Sequence, residues 1–140
     1  MRESPASEPE PDERRSAPAF ALPATDGGTA ALADVLAGGG PALVAFVDEG
    51  CAPCERALAH LARRQREGAT VLLVGGGDPD AVAALAAEHG ARLGLDPDGR
   101  VGDLYGVRAT PSACLVDPDG TTGRLAVGED AVRALASRSP

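Results

Sequence analysis

Apolar residues fall into two patterns along this chain, unbroken runs and helical stripes, and glycine and proline separate them. Ala42-Leu43-Val44-Ala45-Phe46-Val47 is a continuous run bounded by breakers, among them Gly38-Gly39-Gly40-Pro41. Such a run suits a strand covered on both faces. From Pro53 the pattern turns helical, with Cys54, Leu58, Leu61 and Gln65 at i, i+4, i+7 and i+11. Arg56, Arg63, Arg64 and Arg66 point elsewhere and read as a solvated face, and Gly68 stops the helix. Val71–Val74 is a second buried strand. Asp78 and Pro79 open the next helix as N-cap and first helical residue, and its stripe of Val82, Leu85, Ala86 and His89 closes at Gly90. Arg92–Leu95 reads as a third short strand, and Val101, Leu104 and Tyr105 as a brief helix ended by Gly106.

Ser112–Asp117 and Thr121–Val127 are two extended runs joined by Pro118-Asp119-Gly120, a hairpin signal. A last helix runs from Glu129 to about Ser137, with acids in its first turn and Arg138 at its end, as the helix dipole favours. Upstream, Phe20–Leu22 reads as a short edge strand ended by Pro23 and Asp26-Gly27-Gly28, and Thr29–Ala37 as a short helix or turn. Residues 1–17 are rich in proline and charge without periodicity, which predicts a flexible tail before one domain over 18–140. Strands that alternate with helices and end in a hairpin predict an α/β fold. Its central mixed sheet is flanked by helices and carries a short N-terminal β extension.

Composition narrows the function classes. The 140 residues fit one domain, and 44% hydrophobic with 24% charged residues suits a globular chain. The 13 basic residues are all arginine and face 21 acidic ones, for a net charge of −8. That balance argues against nucleic acid or anionic lipid as the main partner. Phe20, Phe46 and Tyr105 are the only aromatics, too few for a base-stacking platform. No stretch reaches the ~18 apolar residues of a membrane span. Met1–Arg15 lacks the apolar segment of a signal peptide. The chain as given reads as cytoplasmic, or as extracytoplasmic if an upstream anchor precedes it.

Chemistry concentrates at Cys51-Ala52-Pro53-Cys54, between the first buried strand and a helix start. At a helix N-terminus, unpaired N–H groups and the macrodipole favour a thiolate, and such placements lower a thiol pKa to roughly 3.5–7.5. Cys51 is therefore the candidate nucleophile. Cys54, one turn further in, can resolve a mixed disulfide. Pro53 fits the first turn, where its missing N–H costs nothing.

Several segments together resemble the thioredoxin-like superfamily, and within it the TlpA/ResA and MauD-like thiol-disulfide oxidoreductases. They are Phe20-Ala21-Leu22-Pro23 with Asp26-Gly27, Leu43–Phe46 leading to the cysteine pair, Tyr105-Gly106-Val107-Arg108-Ala109-Thr110-Pro111-Ser112, and Leu115–Gly120. The resemblance covers about residues 18–138. It implies a cis Thr110–Pro111 bond beside the cysteines, with Thr110 offering its backbone to an incoming substrate chain. It also implies protein thiols and disulfides as substrates, a reductase or membrane electron donor as partner, a monomer, and no cofactor.

The chain departs from the thioredoxin pattern at two places. Gly50 stands where thioredoxins usually carry tryptophan, and Ala45 where many have a buried acid. Water, Asp48 and Glu49 are then the candidate proton carriers for Cys54. Negative charge at Asp48 and Glu49 opposes thiolate formation at Cys51, which favours a reductant or moderate exchanger over a strong oxidant.

The remaining candidates have plainer readings. Zinc needs four ligands, and neither a second Cys-x-x-Cys nor a His-x₃₋₅-His exists, so no metal is expected. Cys114 reads as core packing in a central strand, His60 as an outer-face residue and His89 as a helix-end residue with a capping role. Gly75-Gly76-Gly77 lacks the lysine of a phosphate loop and reads as a flexible connection. A peroxiredoxin shares the Phe-x-Leu-Pro-x-x-Asp-Gly start but needs threonine three residues before its reactive cysteine. Asp48 stands there before Cys51. A non-catalytic metal or binding module on the same fold is the other alternative, marked by a cysteine pair that does not cycle.

Overall fold

A computed structural model describes residues 14–138. The elements in order are β1 (Arg15–Ser16), β2 (Ala21–Pro23), β3 (Thr29–Ala31), α1 (Leu32–Leu36), β4 (Ala42–Asp48), α2 (Ala52–Arg66) and β5 (Val71–Gly76). There follow α3 (Pro79–His89), β6 (Leu93–Leu95), α4 (Arg100–Leu104), β7 (Ser112–Val116), β8 (Thr121–Thr122), β9 (Ala126–Val127) and α5 (Glu129–Arg138). The main sheet has the order β1-β8-β7-β4-β5-β6, with β9 also paired to β7, and β2–β3 form a separate hairpin. β4, β5 and β6 are parallel, and β7 runs antiparallel to β4. The α/β class and the mixed central sheet read from the sequence are those of the structure.

Alternation along β4 and β5 explains their continuous apolar runs. Leu43, Ala45, Val47 and Leu73 pack with Leu58 and Leu61 of α2, Val82 of α3 and Val132 of α5. Val44, Phe46, Leu72 and Val74 pack in the opposite layer with Ala24, Ala30, Leu32 and Val101. Each strand is thus buried on both sides. The helices approach closely because small residues line the contact: a Cβ at Gly75 would lie 2.6 Å from Val82 Cγ1 and 3.0 Å from Leu93 Cδ2. Asp78 caps α3 by accepting from the Ala81 N–H at 3.0 Å, as its position before Pro79 predicts.

Four local readings are corrected. Thr29–Ala31 is a strand rather than the start of a helix, because the Asp26-Gly27-Gly28 turn folds it back on Ala21–Pro23 and buries Ala30. Thr121–Val127 breaks into β8 and β9. Thr122 pairs with Val116, while Ala126 and Val127 pair with Ala113 and Ser112, one residue out of step, so the edge strand bulges. Residues 1–13 of the expected tail lie outside the described residues, but Arg15 and Ser16 pair with Thr122 and Thr121. Arg14 anchors that edge by donating to Asp117 at 2.7 Å and to the Thr121 carbonyl at 2.8 Å. Backbone pairing at an edge needs no apolar pattern, so periodicity missed it. Finally, the arginines of α2 are not simply solvated: Arg56 pairs with Glu129 at 2.8 Å, and Arg66 donates to the His89 carbonyl at 2.6 Å.

Gln65, read as part of the apolar stripe of α2, is instead a polar tie. Its amide donates to the carbonyls of Val71 and Arg92 and accepts the Arg92 N–H at 2.9 Å. The edge of β6 is closed by the segment after β2. Thr25 N–H donates to the Leu93 carbonyl at 2.8 Å, and Leu93 N–H donates to Thr25 Oγ1 at 3.1 Å. The three aromatics gather in one place, with the Tyr105 ring 5.7 Å from Phe20 and 5.3 Å from Phe46. The Tyr105 hydroxyl donates to the Pro18 carbonyl at 2.7 Å, and burial pushes its pKa up.

Cys114 belongs to the layer opposite α2, so the sheet separates it from Cys54. Its thiol is buried, and that burial raises its pKa, partly offset by the Thr122 hydroxyl and by Arg14. A raised pKa keeps the reactive thiolate scarce until the pH exceeds the ordinary thiol value. Iodoacetamide at pH values up to about 8.5 should therefore leave Cys114 unmodified in the native protein and modify it after unfolding, as mass mapping would report. Gly75→Ala should destabilise the fold by about 1–3 kcal/mol through overpacking against Val82 and Leu93, measured by urea unfolding.

Candidate functional site

β4 delivers the cysteines to one end of the sheet, where α2 begins. Cys51 is the N-cap of α2 in extended conformation (φ −119°, ψ 110°), and its sulfur accepts the Cys54 N–H at 3.2 Å. This is the place that serine or aspartate takes in an ordinary cap, so an orphan N–H points at the sulfur. Pro53 sits within the first turn, which lacks intrahelical acceptors for its N–H groups in any case. Cys51 and Cys54 are joined as a disulfide, with Cα atoms 5.2 Å apart. The two cysteines differ in burial. Cys54 is 0% exposed, whereas Cys51 is only partly buried. The Asp48 N–H donates to the Cys54 sulfur at 3.4 Å, which fixes the buried partner against the end of β4.

The Thr110–Pro111 segment faces this pair. The bond between them is cis, and the Thr110 carbonyl oxygen lies 3.9 Å from the Cys51 sulfur. Pro111 is fully buried, and its carbonyl accepts the Gly128 N–H at 2.9 Å. The Ser112 hydroxyl donates to the Ala109 carbonyl at 2.5 Å and holds the turn from the other side. Pro53, Arg56, Thr110, Pro111, Val127 and Glu129 line a shallow groove that adjoins the cysteine loop at Pro53 and the facing segment at Thr110. Val127, 55% exposed, is one of its apolar walls.

Asp48 and Glu49 are both at the site, as their sequence position requires. The Asp48 carboxylate accepts the Thr110 hydroxyl at 2.8 Å. Neither acid has an ion pair among the described residues. Both lie against glycines read from the sequence as a flexible connection, of which Gly75 and Gly76 instead form the end of β5, paired with Val47 and Asp48. A Cβ on Gly76 would collide with Asp48 Oδ1, and one on Gly77 would meet Glu49 Cγ at 2.5 Å. The signal was present as Gly75-Gly76-Gly77, but only the register of β4 on β5 shows what the glycines make room for.

The histidines stand apart from the cysteines. His60 is half-buried toward α5 rather than on the outer face, with Nε2 3.5 Å from Ser137 Oγ and Nδ1 3.2 Å from Arg63. Burial, and then the charges of Arg133, Arg63 and Arg64, lower its pKa. His89 does not cap α3: Gly90, at φ 62°, directs its N–H to the carbonyls of Ala86 and Ala87. Among the described residues, Glu55, Glu88 and His89 bring one possible metal-ligand atom each within 4.8 Å of one another, a group that includes neither cysteine.

Among curated proteins no match is found. Solved structures are similar over most of the chain. One is a candidate thiol:disulfide interchange protein DsbE from Chlorobium tepidum, 26% identical, with a TM-score of 0.74 and coverage of 91% of this chain and 95% of that one. Another is the exposed lipoprotein thioredoxin Etrx1 of Streptococcus pneumoniae, 21% identical, with a TM-score of 0.70 over 86% of this chain and 98% of that one. A third is a secreted Mycobacterium tuberculosis disulfide oxidoreductase, 19% identical, with a TM-score of 0.63 over 84% and 94%. No helix of the described residues is long and apolar enough to cross a membrane. The AhpC/TSA family model matches residues 14–123. With that match and its Cys51-Ala52-Pro53-Cys54 disulfide at the head of α2, the chain belongs to the AhpC/TSA family and is a thioredoxin-like thiol-disulfide oxidoreductase.

Proposed function

We propose that Cys51 is the attacking sulfur and Cys54 the resolving sulfur in exchange with protein disulfides. The observation that carries this reading is their unequal burial: the helix-capping cysteine is only partly buried, and its partner is wholly buried. In the reduced protein the Cys51 thiolate attacks one sulfur of a substrate disulfide. The substrate S–S bond breaks, and a mixed disulfide forms with release of one substrate thiolate. Cys54 then attacks the Cys51 sulfur, releases the second substrate thiol and leaves the Cys51–Cys54 disulfide. Two electrons pass to the substrate, and the Cys54 proton ends on a released thiol, carried by water, Asp48 or Glu49. A reductase or a membrane electron donor restores the dithiol, and the protein acts as a monomer.

Substrate positioning falls to Thr110 and Pro111. The Thr110 main chain beside the Cys51 sulfur supports docking of an extended segment there, with the groove of Pro53 and Val127 below it. The lipoprotein and secreted character of two structural neighbours favours the extracytoplasmic of the two settings read from the sequence.

Cys51→Ser should abolish reduction of an insulin-type protein disulfide. Cys54→Ser should accumulate mixed disulfides between Cys51 and substrate proteins, visible by non-reducing electrophoresis and mass mapping. Wild-type rates in Cys51→Ser would refute the assignment.

A further inference from the structure

Asp48 and Gly76 are register partners at the ends of the parallel strands β4 and β5. Asp48 makes two contacts that differ in kind. Its main-chain N–H reaches the Cys54 sulfur at 3.4 Å, so its backbone is fixed to the redox pair. Its carboxylate Oδ2 accepts the Thr110 hydroxyl at 2.8 Å, and the Thr110 carbonyl in turn lies 3.9 Å from the Cys51 sulfur. One residue therefore connects the cysteine loop to the segment that faces it across the groove. A hydroxyl bonded to an ionised carboxylate is among the stronger and more directional contacts available to a side chain.

Gly76 makes that connection possible. Unlike Gly77, at φ +103°, it does not occupy the left-handed region, so its backbone would suit any residue. What it provides is space. A Cβ there would collide with Asp48 Oδ1, and the next atoms, Asp48 Cγ and the Asp96 carbonyl oxygen, lie at 3.6 and 3.7 Å. The colliding atom is the tip of a rotatable side chain. An alanine at this position would therefore turn the carboxylate away from Thr110 and leave the strand pair in place.

We infer that Gly76, Asp48 and Thr110 form a positioning chain that sets the substrate-docking segment at a fixed distance from Cys51, with Gly76 and Asp48 as positioning residues for peptide disulfides. This rests on the exchange reading above. A peptide disulfide must bring its sulfur in line with Cys51 while its chain lies along Thr110, so a misplaced segment costs rate. A small disulfide that makes no such main-chain contact is indifferent to it.

The test compares reduced wild type, Gly76→Ala, Asp48→Ala, Thr110→Val, Thr110→Ser and the Gly76→Ala/Thr110→Val double variant. The substrates are a disulfide-linked model peptide with uncharged flanks and the small neutral disulfide dithiodipyridine. On the peptide, kcat/KM should fall about tenfold in Gly76→Ala and in Thr110→Val, no further in the double variant, and return toward wild type in Thr110→Ser. The dithiodipyridine rate of Gly76→Ala should stay within about twofold of wild type. Asp48→Ala removes the carboxylate without added bulk and, should Gly76→Ala fold poorly, carries the same peptide expectation taken relative to its own dithiodipyridine rate, which cancels any effect of the lost charge on the cysteines. Wild-type peptide rates in Gly76→Ala, a wild-type ratio of the two rates in Asp48→Ala, additive losses in the double variant, or equal losses of Gly76→Ala on both substrates would overturn the inference. A wild type inert toward the peptide but active on dithiodipyridine would instead overturn the exchange reading, and this inference with it.

Discussion

Burial of β4 from Ala42 to Val47 is the constraint on which the remaining structure depends. The strand is paired on both edges, with β5 and β7, and covered on both faces. A strand so enclosed can expose its reactive continuation only at an end. The crossover to β5 requires a helix, and the helix must start where the strand leaves the sheet. The N-terminus of α2, with its unpaired N–H groups, therefore falls at the first position where solvent can reach the chain. Crevices beyond the carboxyl ends of parallel strands are where open α/β sheets place their chemistry. Here the reacting groups are the chain's own cysteines.

At that point two electrostatic inputs oppose each other. The helix terminus and the Cys54 N–H stabilise negative charge on the Cys51 sulfur. Asp48 and Glu49 bring negative charge to the same loop, and the thioredoxin-like tryptophan is replaced by Gly50. Stabilising a thiolate stabilises the reduced pair. The acids therefore pull the couple toward the reducing side, and the helix pulls it toward the oxidising side. Because Asp48 is partly committed to Thr110, its charge is also held at one place and does not wander with a free rotamer.

The parts of this molecule that obey a period were legible in the sequence. Val44 and Leu73 declare buried strands because both of their neighbours are apolar too, and Asp78-Pro79 declares a helix start because each residue solves a backbone problem there. Cys51 and Cys54 could be assigned by spacing and by their place between strand and helix. What could not be read depends on register or on backbone pairing. Arg15 and Ser16 look like tail residues because their partners, Thr122 and Thr121, are over a hundred positions away. Thr29–Ala31 is too short to show alternation. Gln65 sits at an apolar spacing, and only the nearby carbonyls of Val71 and Arg92 make it a polar tie. Gly76 reads as a loop residue until it is found opposite Asp48.

Thr25 and its bonds to Leu93 bear on how the protein behaves in a crowd. An open sheet presents a row of unpaired N–H and C=O groups at each border, a template onto which another chain can add. At β6 that row is taken up by Thr25 and by the Ala24–Gly94 bridge, while Leu22 and Ala30 press on Gly94 so closely that a Cβ there would find atoms at 3.1–3.3 Å. At the opposite border, β1 is only two residues long. A core of alanine, leucine and valine in an aromatic-poor chain would be prone to strand-to-strand aggregation if its borders stayed open. The turn between β2 and β3 thus covers the sheet border at which a foreign strand would otherwise find unpaired backbone groups.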